Sequence, residues 1–446
     1  PARPNPEPNS MQSTPQIAGL GLLLAAAPTA PGQLQSGPGT PPAPGAGAPQ
    51  EAPVNTNYKA YWRDGTRFET GDLQFTMKLG GRINLDWNFL SGDDELEAGE
   101  NLEDKVDLRR LHLNLGGTLY ESIEYFTQFD FAPAVSPVVD GLTGRESTLL
   151  VKDAWLSLPG LGVGTLTIGQ QFEPFGLETQ TPQNHNTFLE RSLADSLTPR
   201  RGTGLKYAGQ TSDRAFNWAV GVFNSNTANA PDPEIAPNES WGGTGRVSYA
   251  FFDLGGKSEN LLHLGAAYSG RSVQEGLRFQ TRPEAFTEAP WIDTEAALVD
   301  ADKLALLGLE AATALGPFSL QGEFMQADVD SVATSDPRLD GFYVQASYFL
   351  TGETRPYKQG LFDRVRPRSN FKGFGNGIGA WEVALRYSEA DYKEAVAGQE
   401  LRNTSLGINW YLNPSVRFQT NYILVESEEY TDGSGRILSL RWEVAF

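Results

Sequence analysis

The sequence predicts an all-β chain: a sixteen-stranded antiparallel transmembrane β-barrel with short turns on one rim and long loops on the other. Three observations predict it. Across Leu73 to Leu90, "LQFTMKLGGRINLDWNFL", the odd positions are apolar or glycine and the even positions up to Asn88 are polar or glycine, a period of two that only a strand places on two faces. Runs of this kind recur sixteen times, and an even count permits up-and-down closure with both ends on one side. The last run sets Leu438, Leu440, Trp442, Val444 and Phe446 against Ser439, Arg441, Glu443 and Ala445; a closed barrel pairs such a final strand with its first and leaves no edge to blunt.

Taken in order, residues 1–30 read as a signal peptide, with the apolar core "IAGLGLLLAAA" at 17–27 followed by small residues near Ala30. Residues 31–57, rich in Pro, Gly and Ala and almost uncharged, read as a flexible linker. The barrel domain is expected over 58–446, with strands at 73–90, 106–119, 121–131, 149–158, 164–172, 202–209, 214–223, 242–252, 260–271, 302–315, 317–329, 341–351, 378–391, 401–412, 415–427 and 436–446. Connections after even-numbered strands are short, such as "QTSD", "GP" and "NP", and those after odd-numbered strands are longer, such as 91–105, 173–201 and 272–301. That asymmetry is the outer-membrane pattern. One connection breaks it: 352–377 should be a short turn and is long.

Composition narrows the function. The 446 residues hold no cysteine, which excludes disulfides and thiolate metal sites. A formal net charge of -20 leaves no basic patch for a phosphate backbone, so nucleic acid is not an expected partner. After the N-terminal region no run of eighteen apolar residues could form a transmembrane helix, while 11% aromatics and 48 glycines suit a large sheet with tight turns and aromatic belts. His112, His185 and His263 lie on separate segments without metal-ligand spacing, and no nucleophile or phosphate-loop setting accompanies them. No cofactor, metal or catalytic residue is expected.

Residues 150–191, with Gly169, Gln170, Pro174, Phe175, Gly176, Leu177, Glu178, Glu190 and Arg191, resemble the phosphate-selective porin O and P family. There a strand ending in Gly-Gln leads into Pro-Phe-Gly-Leu-Glu and then a Glu-Arg pair. Residues 360–391 resemble the family's other recurrent stretch and account for the long connection at 352–377. The resemblance covers about residues 70–446. It implies a sixteen-stranded outer-membrane channel for small hydrophilic solutes, commonly a homotrimer, whose third long loop folds into the lumen as a constriction.

The residues themselves place charges on the loop and the wall. Loop 173–201 is the third on the long-loop side and carries Glu173, Glu178, Glu190 and Asp195 against Arg191, Arg200 and Arg201, a mixture that sets a transverse field across a narrowed pore. Fixing register by the apolar face turns nine basic residues inward: Lys78, Arg82, Arg110, Lys206, Arg246, Arg271, Arg386, Arg417 and Arg441. Six acids turn inward with them: Asp86, Glu124, Asp130, Glu323, Glu382 and Glu443. Much remaining acidity lies in loops, notably residues 92–104 with seven acids. A basic excess in the lumen favours small anions such as phosphate; a cation-preferring porin with acidic loops as filter, and an adhesion barrel with a plugged lumen working through loop 272–301, remain as alternatives. Phe446 resembles the outer-membrane assembly signal, so lipid and the assembly machinery are expected partners.

Overall fold

The computed structural model describes residues 57–446, apart from 95, 97–101, 135–137, 140–145, 148, 225–240, 254–259, 274–275, 288–289, 295–296, 333–334, 374, 397–398 and 429–432. The chain divides into two units, Pro1–Val54 and Asn55–Phe446. The signal-peptide and linker expectations fall, but for Asn57, outside the described residues.

Two short strands, β1 (Tyr58–Trp62) and β2 (Thr66–Thr70), precede the barrel. Sixteen barrel strands follow: β3 (Phe75–Gly92), β4 (Lys105–Leu119), β5 (Ile123–Asp130), β6 (Leu150–Leu161), β7 (Gly164–Phe172), β8 (Arg201–Gln210), β9 (Phe216–Asn224), β10 (Trp241–Phe252), β11 (Leu261–Ser272), β12 (Ala301–Leu315), β13 (Phe318–Ser331), β14 (Arg338–Phe349), β15 (Ala380–Asp391), β16 (Glu400–Asn413), β17 (Val416–Ser427) and β18 (Gly433–Ala445). Each pairs antiparallel with the next, and β18 closes on β3 from Ala445↔Arg82 to Gly435↔Gly92. All sixteen expected runs are barrel strands. Closure satisfies the backbone within the sheet, the condition for crossing lipid.

The hairpin β1–β2 was not foreseen. β2 pairs Thr66–Glu69 with Leu79–Thr76 of β3, directly below the point where β18 ends and Phe446 exchanges backbone bonds of 2.9 Å with Gly81. The long alternation of β3 is thus shared between two partners, the hairpin at its start and β18 beyond. Trp62 stacks on the Phe446 ring, with centroids 5.8 Å apart.

Burial is inverted relative to a water-soluble sheet. On β15 the outward Leu385 is 55% exposed while the inward Arg386 is 0% exposed. Leu406, Val247, Leu156 and Ile168 are likewise exposed, and Arg441, Asn409 and Gln321 are buried. A continuous apolar exterior of this extent would be a liability in water; against hydrocarbon it is the matching surface.

The short turns follow from local chemistry. Asn413 Oδ1 accepts from the N–H groups of Ser415 and Val416 at 2.8 and 3.0 Å across Pro414, and Asp213 Oδ1 accepts from Ala215 N at 3.0 Å in the β8–β9 turn, side-chain substitutes for turn backbone bonds.

Candidate functional site

The third long loop crosses the lumen, and its sequence explains how. Gly169 in β7 adopts φ +126°, and a Cβ there would stand 2.2 Å from the Ala154 carbonyl oxygen, so only glycine fits. After β7, Phe175 and Leu177 are fully buried. Gly176, at φ +70°, delivers the first turn of α1 (Leu177–Gln180) to the opposite wall. There Glu323 of β13 accepts from Leu177 N at 2.6 Å and Glu178 N at 2.7 Å, capping the otherwise unpaired amides. Glu178 Oε2 accepts from Ser192 N and Oγ at 2.9 and 2.8 Å, folding the loop back on itself. Further along, Arg417 donates to Asn186 O at 2.9 Å, Asn409 to Thr187 O at 2.8 Å, and Arg386 lies 4.2 Å over the Phe188 ring.

Two more segments fill the lumen. In the described part of the fifth long loop, Glu284 is paired with Arg386 at 2.6 Å and accepts from Ser405 Oγ at 2.9 Å and from Ser388 Oγ. In this region, the loop on which the adhesion alternative rests, Phe279, Glu284 and Trp291 are buried. From the other rim, the long connection after β14 turns up into the barrel. It pairs Tyr357–Lys358 with Leu361–Phe362 and accepts Arg246 Nη2 on Gly360 O at 3.1 Å. Arg355 donates to Gln321 Oε1 at 2.8 Å, and Tyr357 OH lies 2.6 Å from His263 Nδ1. The strand register on either side holds, and the extra residues are an inserted lumen segment.

A cavity of about 480 Å³ lies between the third loop and the wall of β3 to β8. Its lining includes ten basic residues (Lys78, Arg82, Arg109, Arg110, Lys152, Arg191, Arg200, Arg201, Arg282 and Arg364) against five acids (Asp130, Asp153, Glu190, Asp195 and Glu284). A second space of about 350 Å³ adjoins it toward the short-turn rim and shares Lys78, Asn114, Phe126 and Trp155. Two β-bulges enrich the wall. Between β3 and β4 the register jumps from Asn84↔Arg110 to Asp86↔Asp107, so adjacent Arg109 and Arg110 both reach Glu190, at 3.2 and 3.0 Å. Between β5 and β6 the pairing jumps from Gln128↔Asp153 to Phe129↔Val151, leaving Lys152 as the extra residue beside Asp153. A bulge breaks strict alternation and puts neighbours on one side.

A model of the family described as "Phosphate-selective porin O and P" matches residues 77–446. The chain belongs to that family. It is 28% identical over 411 residues to Porin O of Pseudomonas aeruginosa, covering 84% of this chain and 88% of that protein. Among solved structures its fold is similar to an anion-selective porin from Comamonas acidovorans, with a TM-score of 0.52 at 14% identity, covering 83% of this chain and all of that one. It is also similar to Salmonella typhi OmpF in complex with daunomycin, with a TM-score of 0.51 at 12% identity, covering 87% of this chain and all of the other. The protein is an outer-membrane porin, a β-barrel channel.

Within this porin the expected lumen residues separate into two groups. Lys78, Arg82 and Arg110 line the main cavity, as do Glu190, Arg191, Arg200 and Arg201 of the loop. Arg82 donates to His112 Nδ1 at 3.1 Å, and its buried Nε meets no partner among the described residues. The other six wall cations are not among the residues lining that cavity, and five of them pair with acids. Arg246 pairs with Glu310 at 2.6 Å, Arg271 with Glu173 at 2.8 Å, Arg417 with Glu443 at 3.0 Å, and Arg441 with Asp86 at 2.5 Å and Glu190 at 2.6 Å. Arg386 joins Glu178 at 3.3 Å to Glu284, and Lys206 faces inward on β8, opposite Thr167. Glu178 itself lies outside the lining.

Sequence reasoning missed Arg109, Lys152, Arg282 and Arg364. For Arg109 the signal existed: the apolar phase runs through Val106 and Leu108 and resumes at Leu111 and Leu113, a slip of one position that marks the bulge. Burial alone would push the Glu190 carboxyl up, but Arg109, Arg110 and Arg441 hold it well below the ordinary range. Burial raises Glu178 despite Arg386, and burial, aided by Arg364, pushes His185 down to about 4.

Proposed function

We propose that this porin prefers anions and that its selective path runs along the β3–β8 wall, past Arg109 and Arg110, then Arg82, then Lys78. The observation that carries the reading is the excess of ten bases over five acids around the cavity. Arg110, Arg82 and Lys78 are spaced down adjacent strands, with Arg110 opposite Asn84 and four residues, about 13 Å, between Arg82 and Lys78. Several moderate sites in series lower the desolvation cost of an entering anion and let it leave again. Paired guanidinium groups suit the flat oxygen edge of phosphate better than a bare halide, in keeping with the family. Arg191, Arg200 and Arg201 supply the facing side of the path.

The test is a reversal potential across a planar bilayer under a potassium chloride gradient, then titration with phosphate. Anion preference with block of the chloride current by phosphate is expected; cation preference refutes the reading. The three inward segments support a narrow pore, and a barrel with no conductance at all would be the plugged binding barrel instead. We also infer a homotrimer in outer-membrane lipid and recognition of Phe446 by the assembly machinery. Cross-linking in native membranes tests the first, and the yield of inserted Phe446→Ala tests the second.

A further inference from the structure

The carboxylate of Glu190 stands where a passing anion would bind. Its two oxygens accept five hydrogen bonds: from Arg109 Nε and Nη2 at 3.2 and 3.3 Å, from Arg110 Nη1 and Nη2 at 3.1 and 3.0 Å, and from Arg441 Nη2 at 2.6 Å. The side chain keeps 16% of its surface open and lines the cavity, so ions in the path can reach it. We propose that Glu190 is a built-in counter-anion: it occupies the Arg109–Arg110 pair at rest, a permeating oxyanion takes its place, and its charge sets how tightly the constriction holds that oxyanion. The proposal rests on the anion-path reading above and names a specificity determinant within it.

Two features separate this role from simple loop anchorage. The backbone around Glu190 is tethered independently of its side chain. Arg386 donates from Nη1 and Nη2 to Glu190 O, both at 3.2 Å, and Arg441 Nη1 donates to Leu189 O. The loop therefore keeps its seat when the carboxylate swings away. The local charge balance also leaves room for exchange. Three guanidinium groups face two carboxylates, Glu190 and Asp86, so the cluster keeps a positive surplus with Glu190 in place and gains one more charge when it leaves. A phosphate offers the same paired-oxygen edge as a carboxylate and satisfies the forks that Glu190 vacates. A monatomic halide leaves donors unmet, so exchange favours oxyanions and rises with their charge.

Wild type, Glu190→Gln and Glu190→Asp are compared in planar bilayers, with chloride current and phosphate or nitrate as added anion. Gln keeps the shape and removes the competing charge. The phosphate concentration for half-block should fall roughly tenfold or more, as expected for deleting a charge a few ångströms from the site, and the anion-to-cation permeability ratio should rise. Glu190→Asp keeps the charge and should stay closer to wild type. A merely structural clamp predicts the reverse: both variants loosen the loop, conduct both ions better and weaken the block. Unchanged or weaker phosphate block in Glu190→Gln overturns the proposal. If that variant does not insert, wild type alone decides it, because singly charged nitrate blocking as strongly as phosphate is incompatible with exchange. A wild-type channel that prefers cations overturns instead the anion reading beneath it, a result read before any substitution is made.

Discussion

Replacing Arg386 by Met should release the fifth loop and loosen the third much less, since the third loses its Arg386 contacts at Glu178 and Glu190 O but keeps its other anchors. Arg386 is the one cation touching both Glu178 and Glu284 among the described residues. The side chains of Arg386 and Glu284 are each 0% exposed. Methionine approximates the stem but leaves the Glu284 carboxylate, among the described residues, with the hydroxyls of Ser388 and Ser405 alone. Breaking a buried ion pair by removing one partner costs about 3–5 kcal/mol. Taking about 3 kcal/mol, the population in which the loop leaves its seat rises about 150-fold. The third loop retains its bonds from Leu177 N and Glu178 N to Glu323 and those of Arg441 to Glu190. The chain has no cysteine, so single probes report cleanly: Ala285→Cys beside Glu284 and Ser196→Cys on the third loop, each labelled with a membrane-impermeant maleimide. Labelling at 285 should accelerate about a hundredfold, that at 196 should accelerate far less, and single-channel conductance should increase. Equal labelling at 285 with and without Arg386, at unchanged conductance, would refute the claim that this cation latches the loop.

Three further outcomes follow. Replacing Arg109 and Arg110 together by Ala should raise the phosphate concentration for half-block by about tenfold or more, from lost charge-assisted bonds, and lower the anion preference; an unaltered titration would remove the pair from the path. Gly169→Ala should cost about 2–4 kcal/mol through its positive φ and the close Ala154 carbonyl; an unshifted urea midpoint for the folded barrel in vesicles would contradict it. Glu190, with its carboxyl depressed below the ordinary 4.5, keeps its ionised contribution above that value and loses it only as pH falls through the depressed one. His185, lowered from 6.5 to about 4, stays neutral in the seated loop, so its seating weakens as pH falls from 6.5 toward 4, where the unseated form binds the proton first. Glu190 and His185 therefore predict a flat chloride-to-potassium permeability ratio between pH 8 and pH 5, with loop noise growing only on acidification; a sigmoidal ratio centred near neutrality would tell against these assignments.

The barrel was legible because lipid and water impose opposite demands on alternate residues, and a strand segment such as Trp381–Ser388 records both in near-regular alternation. Inward Lys78, Arg82 and Arg110 were legible by the same rule. The rule fails where the strand is irregular, since Arg109 and Lys152 reach the cavity only through bulges. It says nothing of segments whose destination is set by distant partners. That Glu323 caps α1, or that Tyr357 meets His263 from below, depends on contacts separated by about a hundred residues or more, for which no local period exists. The hairpin of β1 and β2 escaped for a related reason: five-residue strands carry too few alternations to stand out.

The chain's charge of -20 and a basic path are reconciled by where the acids are used. Glu173, Glu310 and Glu443 are buried beside Arg271, Arg246 and Arg417, and Glu178, Glu284 and Glu323 hold inward segments against the wall. Each pair fixes a loop or a wall at little net charge, and none of these acids except Glu284 lines the main cavity. The acids thus serve mainly to fill one side of the lumen and keep it filled. On the proposed path the permeating ion meets the other side, where the field is set by local excess and low-dielectric walls rather than by the sum over the chain. Total charge is therefore the wrong predictor for this channel. A substitution that neutralises an acid among the clamps should open or unsettle the pore, whereas one that neutralises Glu190 should sharpen its selectivity, and the opposite signs of those two effects test this division of labour.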